Sequence, residues 1–267
     1  MTEISAGLVK ELRELTGAGM MDCKRALQDT DGDLDAARTL LREKGMAQAG
    51  KRADRATTEG LVGSIVDGGT GTIVGIGCET EPVSKSDEFQ AFAERVLRAV
   101  HEGGVNATEA FDEERLELMG KLGENIVVAG AERFEDAGTI AAYIHPPANK
   151  IGVLVDLEGG DEMLARQLAM HISFAAPEWA TRDDVSSDAI EAERQVYLNS
   201  DEVLSKPEAA REKIVTGMLG KRFFAASPGG VLVDQAWIHD QSKSVGAALE
   251  AAGATLKGFK RISVAGS

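Results

Sequence analysis

The sequence predicts an α+β fold: an amino-terminal three-helix module, then two similar α+β halves with antiparallel sheets, the second carrying a projecting helical hairpin. Apolar residues recur at helical spacing through the first 45 residues, β-branched runs joined by glycine-rich turns begin at Gly60, and the order ββ, α, α, β occurs twice. The expected units are 1–55 for the module and its linker, 56–138 for the first half, 139–185 with 228–267 for the second, and 186–227 for the inserted hairpin.

In the first segment Ile4, Leu8, Leu12 and Leu15 form one stripe, ended by Gly17-Ala18-Gly19, where backbone freedom is greatest. Met20, Cys23 and Leu27 share one face of the second. Asp29-Thr30-Asp31-Gly32 is a turn, Asp33 the expected N-cap of a third helix bearing Leu34, Ala37, Leu40 and Leu41, and Gly45 its expected stop. Small three-helix units often serve as docking surfaces attached to something larger. Met46 to Glu59, rich in Ala and polar residues and holding Lys51, Arg52 and Arg55, reads as linker.

Leu61–Val66 and Thr72–Cys78 form the first hairpin across Asp67-Gly68-Gly69-Thr70-Gly71. An amphipathic helix from Asp87 to Glu102 follows, with Phe89, Phe92, Val96, Leu97 and Val100 inward, then a helix near 113–122 and a strand near 125–134. The order recurs with a hairpin of Thr139–His145 and Ile151–Leu157, a helix over 161–174, a later helix over 242–252 and a strand over 255–264. The insertion is helical, with Ala189, Ile190, Val196 and Tyr197 lining one helix and Ile214, Val215, Met218 and Leu219 the other. An antiparallel helical hairpin projecting from a sheet is either a contact device, self-association included, or packs back onto its own core.

A chain of 267 residues with 43% hydrophobic and 27% charged residues can bury a core. No apolar run is long enough to span a membrane, and Met1–Lys10 lacks the basic start of a secretion signal, so a cytoplasmic location is expected. Cys23 and Cys78 are too few for a disulfide framework and are expected to be free thiols. With 29 basic against 44 acidic residues the formal net charge is −15, which repels nucleic acid, and 4% aromatics offer no stacking platform. The acidic balance favours protein partners or serves solubility alone.

Catalytic signatures are missing. The glycines of Gly68–Gly77 lie in a hairpin, without a phosphate-loop lysine or the third glycine of a dinucleotide fingerprint. A calcium loop with Gly32 at its sixth position would begin at Leu27 and end at Arg38, leaving no ligand at either end, so capping explains these acids. His101, His145, His171 and His239 are dispersed and show no zinc spacing, and His145, before Pro146-Pro147, ends a strand. Cys78 closes an apolar strand, where a buried thiol is commoner than a nucleophile. No metal, cofactor or enzyme chemistry is expected.

The run Leu8-Val9-Lys10-Glu11-Leu12-Arg13-Glu14-Leu15-Thr16-Gly17-Ala18-Gly19-Met20-Met21-Asp22-Cys23-Lys24-Arg25-Ala26-Leu27 closely resembles the amino-terminal signature of the bacterial elongation factor Ts family. Cys78-Glu79-Thr80, His145, Ile151-Gly152-Val153-Leu154-Val155, Gln167-Leu168-Ala169-Met170-His171, Pro177-Glu178, Asp184-Val185-Ser186, Lys206-Pro207 and Ser242-Lys243-Ser244-Val245-Gly246 match in order, so the likeness spans nearly the whole chain. It implies a UBA-like module and a guanine nucleotide exchange factor that binds elongation factor Tu and ejects GDP without covalent chemistry. It implies further that the module, through Leu12, Thr16, Gly17, Ala18, Gly19, Met20 and Met21, and the first half contact the nucleotide-binding domain of that GTPase. The second half, with His145 as a weaker candidate, would contact another of its domains.

Exchange requires factor and GDP to disfavour each other on one GTPase, reciprocally. A segment pushed beside the β-phosphate disturbs Mg2+ coordination and the phosphate loop together. In the family that segment is Thr-Asp-Phe-Val, and here it is Thr80, Glu81, Pro82 and Val83. Glu81 keeps the acid, whereas Pro82 replaces the aromatic wedge, and Phe89 is expected in the core of the following helix. Apart from the resemblance, Glu81-Pro82 reads as a strand breaker ahead of the Asp87 helix. Ser227-Pro228-Gly229-Gly230 also departs from the family, and the extra carboxy-terminal helix of some relatives is expected to be missing. The rival readings are a non-exchanging GTPase-binding or chaperone-like module and, more remotely, a Cys78 hydrolase.

Overall fold

A computed structural model describes residues 4–135 and 138–265. The module consists of α1 (Ala6–Thr16), α2 (Met20–Asp29) and α3 (Leu34–Arg52). Ser5 and Asp33 cap α1 and α3 by accepting the amides of Leu8 and Ala36 at 3.2 and 2.9 Å. Val9, Leu12, Cys23, Ala26, Leu27 and Ala37 form the module's buried core. Two members of the predicted stripes fall outside it, Leu15 at 54% exposed and Met20 at 57%. So small a core closes around Val9 and Ala26 instead and has no room for them.

The first half runs β1 (Glu59–Asp67), β2 (Thr70–Cys78), a single turn α4 (Glu81–Ser84), α5 (Asp87–Gly103), α6 (Asp112–Leu122) and β3 (Ile126–Phe134). Its sheet has the order β1-β2-β3 and is antiparallel. Phe89, Phe92, Val96 and Val100 bury the inner face of α5 against it together with Met119 of α6. Gly45 does not stop α3, which continues to Arg52 and shortens the linker to 53–58. The reason lies on α6: a Cβ at Gly120 would stand 3.1 Å from the Gly45 Cα, so the glycine pair lets two helix backbones touch. Arg42 of α3 also forms ion pairs with Glu113 and Glu117 of α6.

The second half repeats the plan with β4 (Thr139–Ile144), β5 (Ile151–Glu158) and α7 (Glu162–Ala175). The junction expected at 138–139 adjoins residues 136–137, which lie outside the described residues. An insertion follows, formed by α8 (Ser187–Leu198), α9 (Asp201–Leu204), α10 (Glu208–Met218) and a π-helical turn Leu219–Phe224. The chain returns through β6 (Ala236–Trp237), β7 (Asp240–Ser244), α11 (Val245–Ala251) and β8 (Thr255–Ser263). The sheet order β4-β5-β8 mirrors β1-β2-β3, and in each sheet a register shift separates the central strand from the last. The helix expected over 242–252 begins only at Val245: Ser242 and Lys243 lie in β7, and the Ser244 hydroxyl caps α11 by accepting the Ala247 amide at 3.1 Å.

The two sheets pack face to face through Val62, Ile73, Ile140, Leu154, Ile262 and Val264, with helices on both outer faces. The insertion has its own core of Val185, Val203, Val215, Met218, Leu219, Phe224 and Val231. Ala189, Ile190, Tyr197 and Ile214 pack against that core, whereas Val196, expected among them, is 62% exposed because it lies on the outer side of α8.

At the root of this arm His171 of α7 is buried, its Nε2 3.0 Å from Gln235 Oε1 and its Nδ1 accepting the Ile238 amide at 3.4 Å. Gln235 in turn donates to Ala226 O at 2.8 Å and to Gly229 O. The imidazole is therefore neutral with its proton on Nε2. Burial holds its pKa below the ordinary 6.5, outweighing the Gln235 hydrogen bond that favours protonation.

Replacing Gly120 with Val is expected to separate α3 from α6 while leaving the sheets folded, seen as faster proteolysis at 53–58 with unchanged far-ultraviolet circular dichroism. The His171 contribution has a definite sign. Below pH 6.5 the unfolded chain takes up a proton that the folded chain resists, so stability falls with pH. Urea unfolding between pH 7 and 5 should give a His171→Gln variant with a shallower slope, by up to about 1.4 kcal/mol per pH unit; equal slopes would refute the assignment.

Candidate functional site

The strand β2 delivers Cys78 at its buried end, and the next residues turn outward. Thr80, Glu81 and Pro82 are exposed, while Val83 packs inward against the Phe89 and Phe92 core. Pro82 occupies the first turn of α4, where its fixed φ suits the helix and its missing N–H costs nothing. The segment is therefore a preformed helical turn rather than an open loop. Ser84 Oγ donates to Glu81 O at 2.8 Å, and Ser86 Oγ donates to Val83 O at 2.8 Å while capping α5. Glu81 pairs with Lys85 at 2.6 Å; that hydrogen bond, reinforced by the charge, holds its carboxyl below the usual range. Phe89 is fully buried and cannot stand in for the aromatic that Pro82 replaces.

Behind the turn lies a polar junction that the sequence reading missed. Glu124 Oε2 accepts the amides of Glu79 and Thr80 at 3.1 and 3.0 Å, and its Oε1 accepts the Thr80 hydroxyl at 2.5 Å. Glu79 Oε1 accepts the Asn125 amide at 2.7 Å. The buried Asn125 side chain donates to Ala53 O and Arg55 O at 3.1 and 2.7 Å, tying down the chain that leaves α3. The available signal was an acid-amide pair set between the glycine that ends α6 and an apolar strand.

Two clefts flank α5. One, of about 600 Å3, is lined by Glu81 and Lys85, by Leu61 and Leu97, and by Pro147–Lys150 of the loop between β4 and β5. His145 begins that loop, exposed, with its Nδ1 3.0 Å from the Tyr143 hydroxyl, but does not itself line the cleft. The other, of about 620 Å3, lies between module and first half, with Leu15, Thr16 and Ala18 facing Glu88, Arg95 and Lys121.

The module residues divide. Gly17, Gly19, Met20 and Met21 are exposed and Thr16 and Ala18 half-buried, so these six can meet a partner. Leu12 cannot: it is fully buried and supports the surface from within, accepting the Thr16 hydroxyl at its carbonyl at 2.7 Å. The structure brings the module and the Thr80–Val83 turn to opposite sides of α5, with the His145 loop across the first cleft.

Cys78 does not have the properties of a nucleophile. Its thiol is buried, donates to Thr80 O at 3.4 Å, and is pushed up to about 12 by burial and then by the charge of Glu124. Among the described residues no group of three or more His, Cys, Asp or Glu is arranged to hold a metal ion, and no helix is long and apolar enough to cross a membrane.

Residues 79–266 match the family model described as elongation factor TS. The chain is 43% identical to elongation factor Ts of Alkalilimnicola ehrlichii over 98% of its own length and 92% of that protein. It is 39% identical to elongation factor Ts of Hydrogenovibrio crunogenus, covering 98% of this chain and 91% of that one, and 40% identical to that of Salmonella newport, covering 99% and 92%. With the paired halves, the amino-terminal helices and the exposed turn after β2 all in place, the chain belongs to the elongation factor Ts family of translation elongation factors.

Proposed function

We propose that this elongation factor is a cytoplasmic guanine nucleotide exchange factor: it binds elongation factor Tu carrying GDP and speeds GDP release by disturbing the Mg2+ and phosphate site. It forms and breaks no covalent bond and contacts no nucleic acid directly. The observation that carries the reading is the turn at Thr80–Val83, exposed on its outer side and fastened from behind by Glu124. A rigid projection can transmit the free energy of docking to a neighbouring site, whereas a mobile loop would lose it in ordering. Met20, Met21 and their neighbours supply the apolar part of the docking surface, and the His145 loop a second contact.

Pro82 favours one alternative, a module that docks on the GTPase without exchanging its nucleotide, since the aromatic wedge of the family is missing. Release of a fluorescent GDP analogue from the cognate GTPase separates the two. Acceleration at substoichiometric factor supports exchange; binding with an unchanged release rate supports the alternative.

Replacing Glu81 and Val83 with Ala should slow factor-stimulated release by about fivefold or more, with a smaller loss in complex formation; an unchanged rate would reject the turn as the active segment. Pro82→Phe should fold normally, and equal exchange would show the wedge to be dispensable in this pair. Cys78→Ala should leave release unaltered, and Ellman's reagent should react with Cys78 only on unfolding.

A further inference from the structure

The ladder between β2 and β3 ends at the pair Cys78–Ile126, and beyond it the two chains would diverge. They are held together instead by side chains reaching across reciprocally, Glu79 to the Asn125 amide and Glu124 to the Glu79 and Thr80 amides. Carboxylate acceptors make these bonds roughly twice as strong as neutral ones. Thr80 stands at the N-cap position of α4, yet its hydroxyl makes no capping bond, because it is given to Glu124. A residue suited to capping has thus been diverted to fixing the direction in which α4 leaves the sheet. Gly123, with φ 77°, ends α6 and turns the chain so that Glu124 faces the strand end. Asn125, its neighbour, holds the carbonyls of Ala53 and Arg55.

We infer that Glu124 is a positioning residue for nucleotide exchange, and that with Asn125 it forms a clamp setting the Thr80–Val83 turn in fixed relation to the amino-terminal helices. This rests on the exchange reading above. In this role Glu124 need touch neither nucleotide nor metal. It acts through Thr80, so that docking of the module delivers the turn at one angle and depth.

The full chain with its cognate GTPase and a fluorescent GDP analogue provides the test. Release rate is measured against factor concentration to give a maximal rate and a half-saturating concentration. Glu124→Gln keeps the size of the side chain but replaces one acceptor oxygen by a donor. It should lower the maximal rate about fivefold or more, with less than about a twofold change in half-saturation. Glu124→Asp, which keeps the acceptors, should recover part of the loss. In the free factor, amide hydrogen exchange at 79–84 should quicken in Glu124→Gln, while the core strands keep their protection.

A parental maximal rate in Glu124→Gln overturns the inference, as does a loss matched by weaker protection throughout the protein. If the unaltered chain fails to accelerate release, the exchange reading falls. Hydrogen exchange at 79–84 then still decides whether Glu124 holds the turn, and unchanged protection there would refute the clamp as well.

Discussion

The fold depends on one steric condition: two three-stranded sheets must approach closely enough to seal the apolar layer between them. Glycines on the facing strands meet it. A Cβ at Gly71 would come within 2.5 Å of Ile140, one at Gly75 within 2.5 Å of Ile262, and one at Gly152 within 2.6 Å of Val62. Branched side chains from one sheet occupy the space that the other leaves open, as close packing requires. Central strands covered on both faces follow, which is why β2 and β5 read as nearly continuous apolar runs rather than alternating ones.

That rigid centre gives the outer elements their precision. Because β2 is pinned by neighbours on both sides and both faces, the residues leaving its end start from a fixed point. Helix α5 is equally fixed by its buried Phe89 and Phe92, so the short turn between strand and helix has little freedom. The module is held through α3 against α6, and the same α6 ends beside the junction that grips Thr80. The amino-terminal module and the turn after β2 thus share one mechanical frame.

Much of this was legible in the sequence where the physics is local. The Asp33 cap, the two hairpins, the stripe on α5 and the repeated element order all follow from spacing and residue type. What failed needed information from distant parts of the chain. Gly45 has the composition of a helix stop and serves instead as a contact point for Gly120. Leu15 and Met20 fit helical stripes, yet a core built from small helices closes without them. The strand β7 carries Asp240, Gln241, Ser242 and Lys243, with no β-branched signal at all. The turn at Thr80–Val83 came from family resemblance rather than from periodicity, and that resemblance also swept in Leu12, whose place is interior. Glu124 and Asn125 escaped notice because a half-buried carboxylate and a buried amide acquire meaning only when their partners are in view.

The arm leaves and rejoins the second half at a narrow neck. Gly229 donates its amide to Ala175 O at 3.0 Å, and Glu178 donates to Gly230 O at 3.0 Å, so the outgoing and returning chains already touch at the base. With a separate hydrophobic interior above that base, the arm is a self-contained graft. Its length and shape can drift over evolutionary time without bending the scaffold beneath, provided the stitching at the base is retained.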